Sequence, residues 1–87
     1  IEYRSDRSRR IASRFLRPDE SAGSTDDLLT CWCVKEAVYK LRSASHLAYD
    51  QMRVHLDTAT ADDLLAADSL SFGREITADY VLVWTSE

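Results

Sequence analysis

The sequence predicts an α+β domain: an antiparallel sheet with one long helix packed on one of its faces. Three observations lead there. The stretch from Thr25 to about Arg42 carries apolar residues at helical spacing with no glycine or proline. After Ser43 the period changes to two, the alternation of a half-exposed strand. The chain has 87 residues, room for one small domain (residues 1–87) and no more.

Ile1-Glu2-Tyr3 reads as a strand that begins abruptly, as if it were part of something longer. Ser5 or Asp6 caps a first helix. Its apolar stripe is Ile11, Ala12, Phe15 and Leu16, with Arg9, Arg10, Arg14 and Arg17 on the remaining surface and Pro18 as its end. Ser21 to Ser24, around Gly23, is a loop. Thr25-Asp26-Asp27 opens the long helix, where a capping hydroxyl and early acids suit the positive N-terminus. Its apolar residues (Leu28, Leu29, Trp32, Val34, Ala37, Val38, Tyr39, Leu41) run nearly all the way round, the pattern of a buried helix. Met52, Val54 and Leu56 alternate with Arg53, His55 and Asp57 as a strand. Thr58 to Asp68 reads as a loop with a helical turn around Leu64-Leu65. Leu70 and Phe72 alternate briefly before Gly73. Glu75 to Thr85 reads as one β-rich run, with Ile76, Ala78, Tyr80, Leu82 and Trp84 on one side and Thr77, Asp79, Val81 and Val83 on the other.

Composition narrows the function classes. No apolar run reaches the roughly 18 residues that cross a bilayer, and no charged-then-apolar leader is present, so a cytoplasmic protein is expected. A net charge of −4 argues against general nucleic-acid binding. Charge is unevenly spread: residues 1–17 sum to +4 through six arginines, whereas residues 43–87 sum to −6. A basic opening on an acidic body suits an acidic partner. Cys31 and Cys33 point roughly 200° apart on a helix, so they neither pair nor share a metal there. They read as small buried thiols. His46 and His55 have no partner at a recognisable spacing.

Nine cations are arginine and only Lys35 and Lys40 are lysine, both in the long helix. Together with Glu36 they interrupt a helix that is otherwise apolar all round. An ordinary Glu36-to-Lys40 pair, four apart, is worth about 0.2–0.5 kcal/mol. Charges headed for an interior cost far more unless partnered. A carboxylate that holds a hard divalent cation, with ammonium groups beside it, suits a phosphate site. One glutamate is too few for such a cation, and Glu2 on the opening strand is a candidate second ligand.

These residues carry a resemblance. Trp32-Cys33-Val34-Lys35-Glu36-Ala37-Val38-Tyr39-Lys40 resembles the W-x-x-K-E-A-x-x-K signature of the 4′-phosphopantetheinyl transferase superfamily. Ile1-Glu2 resembles the end of the family's G-x-D-I-E strand motif. Arg10 to Glu20 is similar to the helix and following acid found between those motifs. The resemblance covers about residues 1–42. The aspartate of G-x-D-I-E would lie before Ile1, and the glycine-containing stretch that usually follows the last lysine is here Leu41-Arg42-Ser43-Ala44-Ser45-His46.

The resemblance implies magnesium-dependent transfer of the phosphopantetheine arm of coenzyme A to a serine of an acyl or peptidyl carrier protein, with 3′,5′-ADP as the other product. It implies Glu2 and Glu36 as metal ligands and Lys35 on the coenzyme phosphates. Lys40 would lie on the pyrophosphate and protonate the leaving group, Glu20 would help activate the serine, and Trp32 would pack behind the site. Single-chain members of the surfactin-activating type are pseudo-dimers of two similar halves with the site between them, and this chain matches the second half. The 87 residues alone are therefore expected to be inactive, and the exposed partner face can pair with a second copy. The alternative is a non-catalytic interaction module of the same fold that binds an acidic partner through the arginine-rich first helix.

Overall fold

The computed structural model describes residues 2–3, 6–14, 16–17, 20 and 24–86, with the side chains of residues 2, 3, 6, 8, 9, 13 and 86 outside the description. Strand β1 is Glu2–Tyr3, helix α1 is Asp6–Ser13 and helix α2 is Thr25–Leu41. Two single 3₁₀ turns, Ser43–Ser45 and Tyr49–Gln51, lead into β2 (Met52–His55), β3 (Thr60–Asp63), β4 (Asp68–Ile76) and β5 (Tyr80–Ser86). The strands form one antiparallel sheet in the order β1-β5-β4-β3-β2. The α+β class and the helix-on-sheet packing are as the sequence predicts. No helix among the described residues is long and apolar enough to cross a membrane.

Helix α2 begins where the Ser24 hydroxyl accepts from the Asp27 N–H at 3.2 Å, so the cap is one residue earlier than the Thr25-led opening expected. Asp26 and Asp27 lie in its positive first turn. Leu29, Cys31, Cys33, Val34 and Val38 are buried against the sheet, while Tyr39 and Leu41 are exposed. The helix is therefore buried round most of its circumference along its middle, and it is open at its C-terminal turn and along the side of Trp32 and Glu36, which are only partly buried. The main core joins Val34 and Val38 to Leu47, Met52, Val54, Ala61, Leu70 and Phe72. A second cluster joins Ala12 of α1 to Leu29, Cys33 and Val81. Helix α1 ends at Ser13, well short of Pro18. Phe15 and Pro18, and the loop residues Ser21 to Gly23, lie outside the described residues.

Three expectations for the second half need correction. Thr58 to Asp68 is not a loop with a helical turn, because β3 occupies Thr60–Asp63 and pairs with both β2 and β4. Glu75 to Thr85 is not one run, because a turn at residues 77–79 divides it. There Thr77 Oγ1 accepts from the Asp79 and Tyr80 N–H groups at 3.2 and 3.1 Å. The turn sets Ile76 opposite Val81, so Ile76 shares a face with Val81 and Val83 rather than with Leu82 and Trp84. On the face away from α2, the Trp84 indole lies over Gly73, where any Cβ would collide with it.

Candidate functional site

Helix α2 presents the motif residues in two directions. Lys35 faces inward, with its side chain 1% exposed. Its ammonium meets Glu20 Oε1 at 2.5 Å and donates to the Tyr49 carbonyl at 3.1 Å. The Glu20 carboxylate, also 1% exposed, is saturated. Oε1 accepts the Arg17 N–H at 2.8 Å as well, and Oε2 accepts the Val54 N–H at 2.8 Å. One carboxylate thereby ties the segment before α2, the middle of α2 and strand β2 to one another. Its charge is also felt by its neighbours: the Cys31 thiol is pushed up to about 11, first by burial and then by Glu20. Both cysteines are buried and outside any disulfide, and Cys31 is held as an unreactive thiol at neutral pH.

The other direction is half open. Trp32 and Glu36 lie one turn apart on α2, both partly buried, and Lys40 is exposed one turn further on. Tyr49 spans the gap between the two directions. Its carbonyl accepts from Lys35, and its ring packs on Trp32 with centroids 5.4 Å apart and planes tilted by 31°. Its hydroxyl donates a long hydrogen bond, 3.3 Å, to Glu36 Oε1. Burial pushes the Tyr49 phenol up, and the Glu36 charge and hydrogen bond push it further, so it stays protonated as a donor.

Glu2 enters through its backbone. It pairs with Val81, whose carbonyl lies 3.8 Å from Cys33 Sγ, one helical turn before Glu36. The Glu2 side chain lies outside the described residues. Glu20 and Lys35 are thus in contact, Lys35 and Glu36 are joined through Tyr49, and Lys40 is exposed without a hydrogen bond or ion pair to the described residues.

No group of three or more metal-ligating side chains gathers among the described residues. A small hard cation such as magnesium commonly takes only one or two protein carboxylates, filling its shell with water and substrate phosphates. Glu36 fits as one of two such carboxylates: it is partly exposed, and one of its oxygens receives no hydrogen bond from the described residues. The second that the resemblance implies is Glu2.

Two features escaped the sequence reading. Tyr49 sits in an aperiodic segment where no spacing singles it out. The second is a charge cluster at the end of α2. Arg42 donates to Asp63 Oδ2 at 2.8 Å and to Asp68 at 2.7 and 3.0 Å, which drives its guanidinium pKa upward. Asp63, 1% exposed, also accepts the Leu65 and Ala66 N–H groups at 3.0 and 2.9 Å. A shallow hollow of about 280 Å³ opens beside it, between Asp62, Asp68 and Ser69. It is remote in sequence from the α2 motif, and Arg42 already compensates two of its acids.

No family model, curated protein or solved structure matches this chain.

Proposed function

We propose that this chain is the motif-bearing half of a magnesium-dependent phosphopantetheinyl transferase acting in the cytoplasm. In this reading it helps move the 4′-phosphopantetheine arm of coenzyme A onto a serine hydroxyl of an acyl or peptidyl carrier protein. The observation that carries the reading is the contact of Lys35 with Glu20. Two positions of the family pattern, fifteen apart in the chain, meet at 2.5 Å, and the helix that bears the rest of the signature packs on an antiparallel sheet.

Glu36, with Glu2 as second carboxylate, would hold magnesium, which supplies charge neutralisation at the pyrophosphate when bound. Lys40 is exposed and would lie on the same pyrophosphate and give a proton to the departing 3′,5′-ADP. In the transfer, the serine oxygen forms a bond to the phosphorus bearing the pantetheine arm as the pyrophosphate P–O bond breaks. Lys35 and Glu20 have no open surface. A direct contact of Lys35 with coenzyme phosphate, or of Glu20 with the serine proton, requires that their pair open. In the closed pair they set the spacing of α2 and β2. The adenine-binding half is contributed by a second, similar domain.

The alternative is a non-catalytic module for an acidic partner. It is favoured by one observation: Arg7, Arg10 and Arg14 of the α1 region are all exposed. Calorimetric titration of the full protein with coenzyme A separates the two readings. The transferase reading expects binding that needs magnesium and is lost in Glu36→Ala. Coenzyme binding that ignores both changes, or is absent, favours the module.

A further inference from the structure

Tyr49 touches three members of the α2 motif with three different parts of itself. Its carbonyl takes the Lys35 ammonium, its ring takes Trp32, and its hydroxyl takes Glu36. Its backbone is held on both sides. The Ala48 N–H donates to Gln51 Oε1 at 2.9 Å and the Gln51 N–H to the Ala48 carbonyl at 3.0 Å. The Leu64 N–H bonds the Gln51 carbonyl at 2.9 Å, and the Arg17 guanidinium bonds the Asp50 carbonyl. With the backbone fixed and the ring packed, the hydroxyl has little freedom left.

Glu36 is the opposite case. A partly exposed glutamate on a helix samples several rotamers, and ordering it for a ligand loses that entropy. A hydrogen bond from a rigid donor selects one rotamer in advance. It also occupies Oε1 and leaves Oε2 without a donor from the described residues. Loss of a partner of this kind, one step behind the ligating group, commonly costs about 10–100-fold in metal affinity.

We propose that Tyr49 is a positioning residue, whose hydroxyl pre-orients the Glu36 carboxylate for a divalent cation. The inference rests on the reading of Glu36 as a metal ligand. The substitution that isolates it is Tyr49→Phe, which keeps the ring on Trp32 and the carbonyl on Lys35. Mn²⁺ binding to the full protein with coenzyme A present, read by water-proton relaxation, is the measurement. Tyr49→Phe is expected to weaken binding on the order of 10-fold with an unchanged thermal melting curve. Glu36→Ala is expected to weaken it at least as much, and Tyr49→Phe/Glu36→Ala no further than Glu36→Ala alone. Wild-type affinity in Tyr49→Phe, or a loss that adds to that of Glu36→Ala, overturns the positioning role while Glu36 stays a ligand. Wild-type affinity in Glu36→Ala overturns the ligand reading, and the positioning role with it.

Discussion

Lys35 and Glu20 form an ion pair at 2.5 Å in which both side chains are 1% exposed. Such a pair is weak evidence of net stability, since two desolvated charges offset their own attraction. It is strong evidence of specificity here, because each of its oxygens also anchors a backbone N–H from a different part of the chain.

Breaking one side should therefore be worse than replacing both. Lys35→Met leaves the Glu20 carboxylate buried without its cation and is expected to cost about 3–5 kcal/mol. Lys35→Met/Glu20→Gln removes the buried charge but keeps an acceptor for only one of the two backbone N–H groups, and is expected to recover part of that loss. Urea unfolding of the two singles and the double measures the coupling. A Lys35→Met loss below about 1 kcal/mol would remove the pair from the list of features that fix the fold.

The hairpin turns carry a second prediction. Ala59 and Ala67 adopt φ of 53° and 58°, the left-handed region that an alanine Cβ disfavours. Ala67→Gly is expected to raise stability by about 0.5–1 kcal/mol, relief of strain exceeding the entropy a glycine adds to the unfolded chain. Chemical denaturation reads the shift, and destabilisation by the same amount would contradict it.

Those alanines explain what the sequence hid. Glycine or asparagine is the usual mark of a left-handed turn residue. With alanine at both turns, Thr60–Asp63 carried no punctuation on either side, and its short apolar content (Ala61 alone) offered no alternation to read. The turn after Ile76 was hidden similarly, since Thr77 shapes it with a hydroxyl and no glycine. Helix α2 was legible because its length, cap and early acids all agree. Of the candidate site, the motif itself was legible, but the depth of Lys35 was not. A lysine one position before Glu36 reads as a reaching cation, and only the register of α2 against Glu20 and Tyr49 turns it inward. Tyr49 had no signal at all.

Acid sensitivity follows from Asp63 and Asp62. Burial raises the Asp63 pKa, but the Ala66 N–H, Arg42 and the Leu65 N–H outweigh it and hold the carboxyl below its ordinary range. His55 at 2.7 Å, aided by Ser69 at 2.8 Å, lowers Asp62 in the same way. A depressed folded-state pKa contributes stability above the unfolded value of about 3.9 and loses it as pH falls through the folded value. Stability should therefore be flat in these two groups above about pH 5 and decline below about pH 4. Asp63→Asn is expected to flatten that acid limb as well as lowering stability at neutral pH. An acid limb unchanged in slope would assign it to other carboxylates.

Trp84 and Gly73 give a spectroscopic prediction. Gly73→Ala forces the indole, already 54% exposed, off the strand. In a Trp32→Phe background the Trp84 emission is expected to shift to the red. Stability should change by no more than about 1 kcal/mol, because alanine also favours the strand more than glycine does. Unchanged emission would mean that the indole does not cover Gly73 in solution.

Mass spectrometry of an acyl carrier protein, after incubation with coenzyme A and the full protein, decides whether the transfer takes place. The carrier is expected to become heavier by the phosphopantetheine arm, only with magnesium present and not with Glu36→Ala. A carrier of unchanged mass under all conditions, or one modified equally by Glu36→Ala, would contradict the transferase reading.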